Sequence, residues 1–194
     1  DPEKDGLMPV VLDCLRSAAG KDDLPAGLTD IQGPLDTAGQ LCGHSNLFMW
    51  MRMFPEEVHA LMDLITDTLI LWIRAQKAAI GEPLDQSNGL QGIYSPGCGV
   101  WVSEDDLVMV GPDDYRTFVR PYLERLFGEF GGGSVHFCGD GYQHVPEILE
   151  TKNVAVLNNS PMGLFPQFAD LRTHLAGSLV HQVQDIVPFD IEEY

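Results

Sequence analysis

The chain has 194 residues, 44% of them apolar and 21% charged, which is the composition of one soluble globular unit with a real core rather than a disordered segment. Its 11 basic against 29 acidic side chains give a net charge of −18, which repels polyphosphate and argues against a nucleic-acid partner. No apolar run approaches the roughly 18 residues that span a bilayer, and the acidic start "DPEKDGLMPVVLDC" is unlike a secretory signal, so no membrane association is expected.

Residues 7–19 carry Met8, Val11, Leu12, Leu15 and Ala19 at helical spacing, with Gly20 placed to end the helix in a left-handed cap. The stretch "DDLPAGLTDIQGPLDTAG" is broken by Gly and Pro, and predicts a strand from about Ala26 to Ile31 running into a long polar loop. Pro55, Glu56 and Glu57 open a helix: proline sits where its missing N–H costs nothing, and the carboxylates face the positive dipole end. Val58, Leu61, Met62, Ile65, Leu69 and Trp72 carry it to about Ile80, where Gly81 stops it.

"GLQGIYSPGCGVWVSEDD" is the next candidate strand and loop. Pro112 opens a helix whose face is Tyr115, Phe118, Val119, Tyr122, Leu126 and Phe127. Pro121, inside that pattern, should kink or shorten it by removing a bond to the Thr117 carbonyl. There follow the strand "SVHF", the helix "HVPEILE", the strand "NVAVLNN" and a helix from about Met162 to Ala176. Strand, long loop and helix in alternation describe an α/β fold with a parallel sheet, in which ligands gather where strands end. "HFCGDG", "SPGCG…SEDD" and "LNNSP" are therefore expected on one rim. Residues 1–194 show no repeat or linker and read as a single domain.

His136 and Cys138 lie two apart at the end of a strand, so their side chains share a face. Extended spacing separates their Cα atoms by about 6.6 Å, which allows both to reach one tetrahedral Zn2+ at about 2.0 to 2.3 Å if the chain bends at Gly139. A third ligand is needed, and Cys98, His144, Asp105, Asp106 and Asp140 are the candidates. The plainer reading is a small buried cysteine at the end of a core strand. "SEDD", Ser103 to Asp106, is equally a solvated acidic loop or helix cap. Tyr94 and Trp101 suit core or pocket wall, and Asn158 and Asn159 suit a helix cap or a polar rim. His59 falls on the solvent side of its helix, while His174 and His181 show no partner in sequence. Four cysteines at irregular spacing without a CxxC pair read as reduced thiols of a cytoplasmic protein.

Taken together, "TDIQGPLDTAGQLCG", "FPEEVHALMDLIT", "SEDDLVMVGPDDYRTFVRPYLERLFGEF" and "VHFCGDG" followed by "LNNSP" resemble, in order and spacing, the uroporphyrinogen decarboxylase superfamily, which includes corrinoid-dependent methyltransferases. The resemblance implies a (β/α)8 TIM barrel with its active site at the C-terminal mouth. It places about four strands here, the fourth to the seventh, so the chain is a partial barrel or a fragment; a complete barrel needs roughly 250 residues. The missing initiator Met points the same way. The methyltransferase branch implies that His136 and Cys138 of an HxCG motif bind zinc, with a later cysteine that would fall beyond Tyr194, and that a thiol takes a methyl group from a corrinoid.

On that reading Asp105, Asp106 and Cys138 are catalytic, His136 and Cys138 hold metal, and Tyr94, Ser103, Asp140 and Asn158 bind substrate. The partners are a small-molecule substrate or a corrinoid protein, and a homo-oligomer would cover exposed sheet edges. The other branch implies tetrapyrrole decarboxylation in porphyrin biosynthesis, and a third reading, of a different class, is a non-catalytic ligand-binding member.

Overall fold

The computed structural model describes residues 1–21, 25–88, 94 and 97–159, and the backbone of 180–183. Four strands, β1 (Val100–Ser103), β2 (Gly133–Phe137), β3 (Val154–Asn159) and β4 (Val180–Val183), form one parallel sheet in chain order. A parallel bridge from Gln32 to Ser103 places the segment before the first helices of the site against the free edge of β1. The α/β expectation is met. The strand foreseen at Ala26–Ile31 contracts to that bridge, held by Ser103 N–H on the Ile31 carbonyl and Gly33 N–H on the Ser103 carbonyl. β4 was not anticipated, and the helix expected over 162–176 lies outside the described residues.

The long loop predicted after Ile31 is instead two helices, α2 (Pro34–Cys42) and α3 (His44–Met53). Proline at the first helical position and Asp36 in the first turn start α2, while Gly43, at φ +82°, separates it from α3. Glycine and proline here punctuate helices rather than mark a loop. Helix α1 (Met8–Ala18) and the 26-residue α4 (Pro55–Ile80) match expectation, and Gly81 closes α4 in the left-handed region at φ +73°. "EDD" is not an open loop: Asp105–Met109 form a 3-10 turn.

Pro121 acts as foreseen. The helical stretch from Pro112 divides into α5 (Pro112–Asp114), a π-helical turn (Tyr115–Val119) and α6 (Arg120–Gly128), so the irregularity forced by the missing N–H sits just before the proline. Arg116 and Arg120 then pair with Glu147 of α7 (Val145–Glu150), fixing this region to the helix after β2.

Strand alternation divides the sheet into two faces. Val100, Val102, Val135, Phe137 and Leu157 join the apolar core under the helices, with Val58, Met62, Ile65 and Ile73 of α4 and the buried side of α6. The other face carries Ser103, His136 and Asn158 in one lateral row. All five residues of β2 are buried, as expected of a parallel strand covered on both sides. Among the described residues no helix is long and apolar enough to cross a membrane.

Gly133 begins β2 against the ring of Phe127, which is fully buried: a Cβ on Gly133 would lie 2.1 Å from Phe127 Cδ1. Phe127→Ala should therefore leave a cavity between α6 and the start of β2 and cost about 3–5 kcal/mol, read as a lowered urea midpoint with unchanged slope.

Candidate metal centre

The row Ser103–His136–Asn158 runs across the carboxyl ends of β1, β2 and β3. Because His136 and Asn158 are register partners, their side chains meet: Nδ1 of His136 lies 2.6 Å from Oδ1 of Asn158. That oxygen only accepts, so Nδ1 is the donor of this bond, and the bond aims the other ring nitrogen at the site. Nε2 faces the end of the strand, 3.3 Å from Cys138 Sγ and 3.7 Å from Asp105 Oδ1. Gly139, at φ +87°, turns the chain immediately afterwards, which is the bend the spacing required.

Asp105 completes the group. Its Oδ1 accepts the Cys138 N–H at 2.6 Å, and one donor atom each from Asp105, His136 and Cys138 lie within 4.8 Å of one another. An imidazole nitrogen, a thiol sulfur and a carboxylate oxygen suit a borderline-soft divalent ion such as zinc, and three protein donors with a further position open are the pattern of a catalytic rather than a structural site. The Asn158 bond to the far nitrogen is the outer-shell contact that orients a metal-binding histidine.

Two buried carboxyl groups hold the loop that carries Asp105. Asp36 Oδ2 and Oδ1 accept the N–H groups of Asp105 and Asp106, each at 2.8 Å. Glu104 Oε2 and Oε1 in turn accept from Asp36 N–H at 3.0 Å and Leu35 N–H at 3.3 Å, at the start of α2. Burial raises the Asp36 carboxyl to about 6, against the lowering effect of its two backbone donors. Glu104 is fully buried and is pushed well above the usual carboxylate range, first by burial and then by Asp36.

The remaining sequence candidates divide. Ser103 and Asn158 lie in the row beside His136, and both are buried. Asp106 turns away from the cluster to a 3.2 Å ion-pair contact with His44. Asp140 is exposed beyond the bend, where Oδ1 accepts Tyr142 N–H at 3.4 Å. Of "SPGCG", the described Gly97–Gly99 precede β1, at the opposite end from the rim that Ser103, His136 and Asn158 share. Cys98 precedes the strand, is buried, gives its S–H to the Val100 carbonyl and has its thiol raised to about 11 by desolvation. Tyr94 lines a separate cavity of about 420 Å³ with Gly20, Glu82 and Asn88, near the end of α4. His144 is buried beside the Tyr115 ring, and burial lowers its pKa. His59 is not idle either, since its Nδ1 meets the Tyr122 hydroxyl at 2.6 Å.

Asp36, Glu104 and His44 were not singled out in sequence. The signal for Asp36 was the proline two residues earlier, which marks a helix start and thus an acidic side chain near free N–H groups. Glu104 carries no comparable signal, because its partners lie 68 and 69 residues away.

The uroporphyrinogen decarboxylase family model matches residues 1–177. The chain belongs to the uroporphyrinogen decarboxylase family. Its relatives within and around this family differ in activity. It is 25% identical over 158 residues to a methylated-thiol–coenzyme M methyltransferase of Methanosarcina mazei, a match covering 77% of this chain and 37% of that protein. It is 36% identical over 90 residues to the uroporphyrinogen decarboxylase of Syntrophotalea carbinolica, covering 45% and 22%. It is 31% identical over 127 residues to that of Thermus thermophilus, covering 62% and 32%. The chain thus spans 22–37% of the length of these relatives.

The raised carboxyl of Asp36 has a consequence for stability. With its folded pKa about 6 against an ordinary 3.8, the folded state holds the extra proton between these values, so stability contributed by protonation is present at low pH and is lost as pH rises through 6. Without added metal, the unfolding free energy of wild type relative to Asp36→Asn should fall by up to about 3 kcal/mol between pH 4 and pH 7. A difference that stays flat in urea titrations across this range would exclude a raised Asp36.

Proposed function

We propose that the full-length protein is a zinc-dependent methyltransferase that passes a methyl group from a corrinoid, carried by a partner protein, to a small thiol at the carboxyl mouth of a (β/α)8 barrel. The convergence of His136 Nε2, Cys138 Sγ and Asp105 on one point carries this reading. The similarity to a methylated-thiol–coenzyme M methyltransferase over most of the chain supports it. On this reading the Gln32 segment and β1 to β4, a continuous parallel array, would be part of the barrel wall.

When bound here, zinc favours the deprotonated form of a thiol and so makes it nucleophilic at neutral pH. The residues of the chain prepare for that chemistry. Asn158 fixes the His136 ring so that its other nitrogen faces the site. Cys138 contributes a softer donor from an exposed position just past β2, and Asp105, exposed on the opposite loop, contributes a carboxylate. Asp105 supplies a third donor from within this chain. In the transfer, the thiol would lose its proton to solvent, a carbon–sulfur bond would form, and the bond from carbon to the methyl carrier would break with its electron pair left on the carrier.

Full-length protein purified without chelator should hold about one zinc per chain by elemental analysis. His136→Ala and Cys138→Ser should lose it, and Asp105→Ala should bind it more weakly. Zinc should protect Cys138 from alkylation at pH 8, while buried Cys98 stays unreactive with or without metal. Negligible zinc in wild type and variants alike would sink the proposal.

A second reading is favoured by one observation, the higher identity to decarboxylases, 36% and 31% against 25%. It predicts release of carbon dioxide from a uroporphyrinogen by full-length protein, undiminished in a His136→Ala, Cys138→Ser double variant.

A further inference from the structure

We infer that Asp36 and Glu104 are positioning residues for the centre, together setting where the Asp105 carboxylate stands over Cys138. This deepens the metal reading above and rests on it for its effect on zinc, but not for its effect on geometry. The bonds form a closed circuit. Glu104 N–H donates to the His136 carbonyl at 2.8 Å, tying the end of β1 to the residue that bears the imidazole. The Glu104 side chain crosses to the start of α2, where it accepts from Leu35 and Asp36. The Asp36 side chain returns to the backbone of Asp105 and Asp106, and the Asp105 side chain closes the circuit on Cys138 N–H. The Glu104 and Asp36 side chains thus lock the start of α2 to residues 104–106, although neither is among the three candidate donors, and the Asp105 side chain carries the link on to Cys138.

Space around the circuit is shaped for it. A Cβ at Gly33 would lie 2.2 Å from Glu104 Cδ and Oε1, so glycine there leaves room for the carboxyl group. Gly33 has φ −71° and needs no glycine for its backbone conformation, which makes the side-chain space the reason for a small residue. Similarly, a Cβ at Gly39 would lie 2.4 Å from Asp106 Oδ2, which shows how closely α2 presses on the 3-10 turn.

The test uses full-length protein and two readouts, amide hydrogen exchange at Cys138 without metal and zinc affinity by chelator competition. Asp36→Ala, and Gly33→Ala, which displaces Glu104 while changing no polar group, should each speed exchange at Cys138 by at least about tenfold. Both should weaken zinc about 10- to 100-fold, the effect expected from losing an outer-shell contact. Asp36→Asn, keeping one acceptor oxygen, should fall between them and wild type. Met62→Ala, a core truncation in α4, should lower the melting temperature while leaving Cys138 exchange and zinc affinity within twofold. Should Asp36→Ala fail to fold, Asp36→Asn and Gly33→Ala decide the matter. Folded variants whose Cys138 exchange and zinc affinity stay within twofold of wild type would overturn the inference, as would a Met62→Ala that alters both equally. Wild type that binds no zinc would remove the metal reading, and Cys138 exchange alone would then decide the positioning role.

Discussion

The buried Glu104 carboxyl at the start of α2 is the constraint on which the mouth of this sheet depends. A carboxyl with no exposure is expensive to desolvate unless it is protonated or given donors. Here the unpaired N–H groups at the first turn of α2 supply the donors, because no intrahelical carbonyl precedes them. The helix must therefore begin at Pro34, close enough to β1 for Glu104 to reach it. Once it does, Asp36 is delivered to the Asp105–Met109 turn, and the next side chain along stands beside Cys138.

The arrangement explains why neighbouring acidic residues have different fates. Glu104, Asp105 and Asp106 are consecutive, yet one is buried against α2, one is exposed over Cys138, and one contacts His44. Glu104 precedes the 3-10 turn in a non-helical conformation, and the turn then rotates Asp105 and Asp106 apart by about a third of a turn. With net charge −18, such a cluster would ordinarily be a solvated face, and it is the buried donors of α2 that convert it into a built structure.

Family membership places this unit among proteins of two chemistries without choosing between them. In this chain the carboxyl rim includes an imidazole held by Asn158 and a thiol at 3.3 Å from it.

By itself the sequence determined the local elements and the pair at the centre of the argument. The proline and glycine limits of α4, the break before Pro121 and the same-face placement of His136 and Cys138 all follow from backbone geometry within a few residues. It misread the stretch around Pro34 as a loop, because the same residues that begin and end helices also make turns. Only the tertiary structure decided which of five candidates joins the pair. Asp105 comes from a loop 33 residues away, Asn158 from a strand neighbour 22 residues away, and Asp36 from a helix 69 residues before Asp105. Such distances are set by strand register and helix docking rather than by any local periodicity, which is why Cys98, only five residues before Ser103, ended at the wrong end of β1.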